Sequence, residues 1–150
     1  MKIRPSFVLA LTLTAAAGAG CGHLMMMMPG GHVARPPEAA FGPGPRASAA
    51  QRFTATLQPA QPLRPRRMQT VRVAITDATG TPVDDATIQV DGGMPQHGHG
   101  LPTRPRVTRS LGNGLYEIEG VRFNMGGWWE FKLAIDAPAG SDIVTFNLAL

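Results

Sequence analysis

The chain has a single cysteine, Cys21, in 150 residues, so no disulfide forms within it. After the first twenty residues it has no long hydrophobic run. The uncharged apolar stretch at 7–17 is itself too short to span a bilayer, which takes roughly 20 residues. There is no H-E-x-x-H, no phosphate-binding glycine loop, and no Ser, His and Asp set in a supporting motif context. Asp84 and Asp85 adjoin at a strand edge and read as solvated rather than as paired acids. These absences point away from an enzyme. Also lacking is any stretch with the 3.6-residue apolar period of a helix.

The first residues carry a different pattern. Lys2 and Arg4 precede the apolar run, and Gly18, Ala19 and Gly20 lead to Cys21. That is the layout of a secretory leader over 1–20, with Cys21 where a bacterial lipobox places its lipidated residue. Gly18 stands where that motif prefers leucine. A diacylglyceryl thioether on Cys21, with an acyl chain on its amine, supplies the more than one chain that stable anchoring requires. Gly22 rather than aspartate after the cysteine favours the outer membrane. The expected location is therefore the cell envelope, lipid-anchored and facing the periplasm.

Residues 21–50 read as a flexible tether rich in Pro, Gly and Met. Such a composition buries too little surface to offset the entropy of ordering it. The run Met25 to Met28, flanked by His23 and His32, is a compositional copper pattern and equally an apolar patch for the membrane interface. Between 22 and 67 there are six arginines against Glu38, while 68–150 carry six basic and nine acidic residues. Basic character is thus expected in the linker, near anionic headgroups, and argues against a nucleic-acid partner.

From 51 onward the pattern alternates with period two. Phe53, Ala55 and Leu57 share a face, as do Val71, Val73 and Ile75, then Ala86, Ile88 and Val90, then Trp129, Phe131, Leu133 and Ile135. For 115–123 two faces remain open, Leu115 with Ile118 or Tyr116 with Ile118. Asn113-Gly114 is a strong hairpin signal. Seven or eight short strands without helices predict an all-β, immunoglobulin-like β-sandwich over 51–150, with Tyr116 as a candidate tyrosine-corner residue.

The stretch DGGMPQHGHGLPTRPRV, 91–107, interrupts this regularity. It reads as a stiff loop holding Met94, His97 and His99. Thioether sulfur is soft and favours Cu(I), whereas imidazole accepts Cu(II) as well. In an extended loop His97 and His99 point the same way. Met125, in the next long connection, offers a further ligand, and Trp128 a cap whose indole face attracts a cation. The bland alternatives are exposed histidines, and methionines and tryptophans that fill the core.

The residues from Val71 to Ile135 resemble the YtkA-like domain, related to the FixH-like proteins, of small bacterial envelope proteins. The resemblance runs through Met94, Pro95, His97, His99 and Gly100, then Gly112, Gly114 and Tyr116, then Phe123, Met125, Gly127 and Trp128 or Trp129, and covers roughly 68–136. It implies an immunoglobulin-like sandwich exposed to the envelope. FixH-like relatives are associated with copper delivery to haem–copper oxidases. They carry a transmembrane helix, where this chain has a lipobox-like leader. The expectation is a lipid-anchored, non-enzymatic domain that binds or handles copper. The alternatives are a metal-free module that docks an envelope protein, and an accessory subunit of a larger envelope enzyme.

Overall fold

In the computed structural model, which describes residues 33–150, the alternating stretches become seven strands of seven to ten residues and two of two residues. A 3-10 turn at Glu38–Ala40 precedes β1 (Arg46–Ala47), β2 (Phe53–Pro59), β3 (Met68–Asp77), β4 (Thr87–Met94), β5 (His99–Gly100), β6 (Arg106–Gly112), β7 (Leu115–Arg122), β8 (Trp128–Ala137) and β9 (Gly140–Ala149). Every ladder between neighbouring strands is antiparallel.

The strands form one sheet in the order β1-β2-β3-β7-β6-β4-β8-β9, with β5 beside β4. A single pair, Gln89 with Arg106, links β6 to β4, so the halves β1-β2-β3-β7-β6 and β4-β8-β9 fold over one core. This is the expected immunoglobulin-like sandwich. The inward residues are those of the alternation, and at β7 the structure selects Tyr116 and Ile118. Phe123, Trp129 and Phe131 form an edge-to-face cluster with centroids 5.2 and 6.3 Å apart. Such pairs contribute about 0.5–1.5 kcal/mol beyond their buried area. Asn113 and Gly114, both at positive φ, make the two-residue turn between β6 and β7, as a type I′ hairpin requires.

Tyr116 acts as a pin between elements. Its hydroxyl donates to the Val83 carbonyl at 2.7 Å and accepts from the Ala86 N–H at 3.0 Å. It thereby holds the β3–β4 connection against β7. Within β7, Glu117 is only 5% exposed between Arg72 of β3 and Arg109 of β6. Its carboxyl is held below the usual range first by the hydrogen bond from Arg109.

Two expectations need correction. The boundary at 51 is too late. Of the expected tether, 21–32 lies outside the described residues, but 41–50 is packed. Phe41 bridges to Asn147, Ala49 N–H bonds the Ile143 carbonyl at 2.9 Å, and buried Ser48 accepts the Phe53 N–H. These partners, on β9 and β2, supply the enthalpy that composition alone did not suggest. Second, 91–107 is not one loop. β4 runs through Gly92 and Gly93 to Met94, where the chain turns into β5. A Cβ on Gly92 would lie 2.6 Å from the Glu130 carbonyl oxygen, and one on Gly93 would lie 2.6 Å from that of His99. The glycines allow close backbone approach rather than looseness.

The topology sorts the connections onto two ends. The 60–67, 95–105 and 123–127 segments share one end, as the register places Met68 opposite Arg122 and Trp128 opposite Ala149. The 78–86, 113–114 and 138–139 turns share the other.

Candidate metal centre

The candidate ligands all belong to the first of these ends. His97 sits on the β4–β5 turn and His99 opens β5, and both are exposed. The Met94 carbonyl accepts the N–H groups of His97 and Gly98 at 3.0 and 2.9 Å, which fixes the turn that carries them. The two imidazole planes are parallel to within 5°, with centroids 6.1 Å apart. With a metal–nitrogen bond of about 2 Å, two imidazoles on one ion have centroids no more than about 6.4 Å apart. The centroid separation of the pair therefore lies near the upper limit for two imidazoles on one ion.

Met94 is placed elsewhere than a surface ligand would be. It is 2% exposed and belongs to the core. Its terminal methyl lies 2.8 Å from where a Cβ on Gly127 would stand. It thus packs the β4–β5 turn against the 123–127 connection. Met125 is the exposed methionine of that connection, at 37%. Its carbonyl accepts the Trp129 indole N–H at 3.1 Å, so the core ring anchors the backbone under the free thioether. The structure brings the two histidines together and sets Met125 on the adjoining connection.

Trp128 does not offer an open face. It is 3% exposed, donates to Asn147 at 2.8 Å, and meets the Phe41 ring edge-on at 6.3 Å. Phe41 comes from the segment expected to be tether, so this covering was not visible locally. Cys21 and the run Met25 to Met28 lie outside the described residues.

The carboxylates near His99 are already engaged. Glu130 pairs with Lys132 at 2.8 Å, and Asp91 accepts the Gly92 N–H at 2.7 Å. Both line a shallow depression beside His99. Among the described residues no three His, Cys, Asp or Glu side chains converge as a metal group would need. Met125 on the adjoining connection is a thioether, a donor type that suits a soft ion better than a hard one.

A family model described as YtkA-like matches residues 47–134. The chain belongs to the YtkA-like family. No curated protein and no solved structure matches it. The match begins within β1 and ends within β8, so it takes in the YtkA-like turn with His97 and His99, the Met125 connection and Tyr116. It starts earlier than the expected 68, in keeping with the packing of β1 and β2. Residues 1–46, Cys21 among them, and β9 fall outside it. What sequence reasoning missed at this end is its charge: Arg64, Arg66 and Arg67 were assigned to a linker and stand on the folded body.

Proposed function

We propose that this YtkA-like protein is a lipid-anchored domain of the bacterial envelope that holds copper, without catalysing a reaction. His97 and His99 supply two imidazoles and Met125 the thioether. Met94 positions the turn from beneath, and Cys21 carries the lipid. The parallel, exposed pair of imidazoles on a turn fixed at both ends supports this reading best. Met125 adds a soft donor from a connection tied to the same turn through Met94 and Gly127. Such a set favours Cu(I) and tolerates Cu(II).

Because its ligands come from two connections, the site requires the folded domain. Copper then stabilises the fold, by about 2.7 kcal/mol at a hundredfold excess over the dissociation constant. Thermal unfolding with and without copper tests this. The midpoint rises in the wild type and loses most of that rise in His97→Ala and His99→Ala, with a smaller loss in Met125→Leu. A rise that survives all three substitutions rules out the site. No rise in the wild type favours a metal-free docking module, in which the turn serves only to shape a surface for a partner protein.

A further inference from the structure

The same end of the sandwich has a second property. Arg64, Arg66 and Arg67 lie on the β2–β3 connection, Arg104 and Arg106 at the entry to β6, and Arg122 at the end of β7. Arg66 N–H bonds the Phe123 carbonyl at 2.6 Å, Met68 pairs with Arg122, and Thr103 bonds the Gly120 carbonyl at 2.7 Å. These contacts gather the six positions onto one rim. All six arginines are exposed. None forms an ion pair among the described residues, whose four pairs involve other cations. Residues 1–32 contain no Asp or Glu. The opposite end carries Asp77, Asp84, Asp85, Asp136 and Asp142. The basic end also holds Asp91, Glu119 and Glu130, the last paired with Lys132, so its cations outnumber its carboxylates, and the body is polar in charge with the acidic groups dominant at the other end.

Apolar groups stand among the arginines. Met68 is 62% exposed, and Met125 projects from the neighbouring connection. Pro62, Leu63, Arg64, Arg67, Met68 and Gln69 line an open cleft of about 550 Å³, within the size range of small-ligand sites. Guanidinium forks match phosphate oxygens, and exposed thioethers suit the layer just below them. The segment preceding β1 also reaches this end. Arg35 lies over the Phe41 ring at 4.3 Å, and Phe41 packs on Trp128 at the head of β8.

We propose that the basic end of the folded body docks on the anionic phospholipid headgroups of a membrane, with the acidic end directed away. The contact is made by the sandwich itself and needs neither the lipid on Cys21 nor a metal. A charge-polar body near a negative surface orients in this way, because attraction and repulsion act at opposite ends.

The test uses residues 22–150, which hold every described strand and core residue but lack Cys21. Partition is measured onto vesicles of neutral phosphatidylcholine and onto vesicles with about a third phosphatidylglycerol. The chain binds the anionic vesicles and not the neutral ones, and raising salt releases it. Each arginine removed lowers the partition about fivefold. The triple variant Arg64→Gln/Arg67→Gln/Arg104→Gln thus falls about a hundredfold with its unfolding midpoint unchanged, since those side chains are exposed and unpaired. Arg52→Gln, at the acidic end, leaves the partition unaltered. Equal binding to neutral vesicles overturns the proposal, as does a triple variant that binds like the wild type. Duplex DNA bound as tightly as the anionic vesicles also overturns it, in favour of a general polyanion surface.

Discussion

Replacing Met94 separates its packing role from a ligand role. The side chain is buried, reaches across to Gly127, and joins the turn bearing both histidines to the connection bearing Met125. Met94→Ala removes three heavy atoms from a closed interior, and such truncations cost about 2–5 kcal/mol. For a body of this size each kcal/mol lowers the midpoint by about 4 °C, so a fall of roughly 8–20 °C is expected. Met94→Leu nearly conserves volume and removes only the sulfur. It costs less than about 1.5 kcal/mol, a shift of at most roughly 6 °C, and leaves copper affinity unchanged. Thermal unfolding followed by circular dichroism gives the first quantity, and titration against a copper indicator gives the second. A Met94→Leu variant that folds normally but binds copper tenfold more weakly would refute this reasoning. So would a Met94→Ala variant that loses less than about 1 kcal/mol, well below the range for a core truncation.

Other perturbations have definite outcomes. Tyr116→Phe leaves the Val83 carbonyl and the Ala86 N–H without their hydroxyl partner and destabilises by about 1–3 kcal/mol in urea unfolding; a loss under about 0.5 kcal/mol speaks against its pinning role. Gly92→Ala drives a Cβ against the Glu130 carbonyl and lowers the midpoint, whereas Gly98→Ala, with nothing near its Cβ but a positive φ, causes only the smaller loss of a strained turn. Acid unfolding reports the carboxylates. Asp142 is lowered to about 2, chiefly by the Ser48 hydroxyl. Asp77 is lowered, chiefly by the Thr79 hydroxyl, and Glu117 chiefly by Arg109. Each is depressed in the folded state, so the unfolded chain takes up its proton first. Their stabilisation is complete above the ordinary values of 4.5 and 3.8 and is lost as pH falls through them toward about 2. A midpoint that stays flat across that window contradicts these hydrogen bonds.

Much of the sandwich was legible in the sequence because its cause is local. Apolar alternation in β2, β3 and β8 and the Asn113-Gly114 turn carry their own structural instruction within a few residues. What was not legible depends on distant partners. Gly92 and Gly93 resemble loop residues until Glu130 and His99 are seen against them. The Pro- and Gly-rich 41–50 segment resembles a tether until Asn147, Ile143 and Asp142, about a hundred positions away, receive its bonds. The side-by-side histidines were readable from their one-residue spacing. The burial of Met94 was not, because that spacing does not reveal that its side chain enters the core beside Gly127. The charge of the loop end was hidden for the same reason, since crediting the charge of 22–67 to the linker removed three arginines from the body.

The copper reading is tested most directly by stoichiometry. Residues 22–150 are titrated with Cu(I) in competition with a chromophoric chelator, alongside the His97→Ala/His99→Ala double variant and a variant in which Met25 to Met28 are all leucine. The account predicts one ion per chain in the wild type and in the leucine variant, and loss of that ion in the double histidine variant. One ion retained by the double variant and lost with the four methionines would place the copper on the N-terminal run and contradict a site on the folded domain.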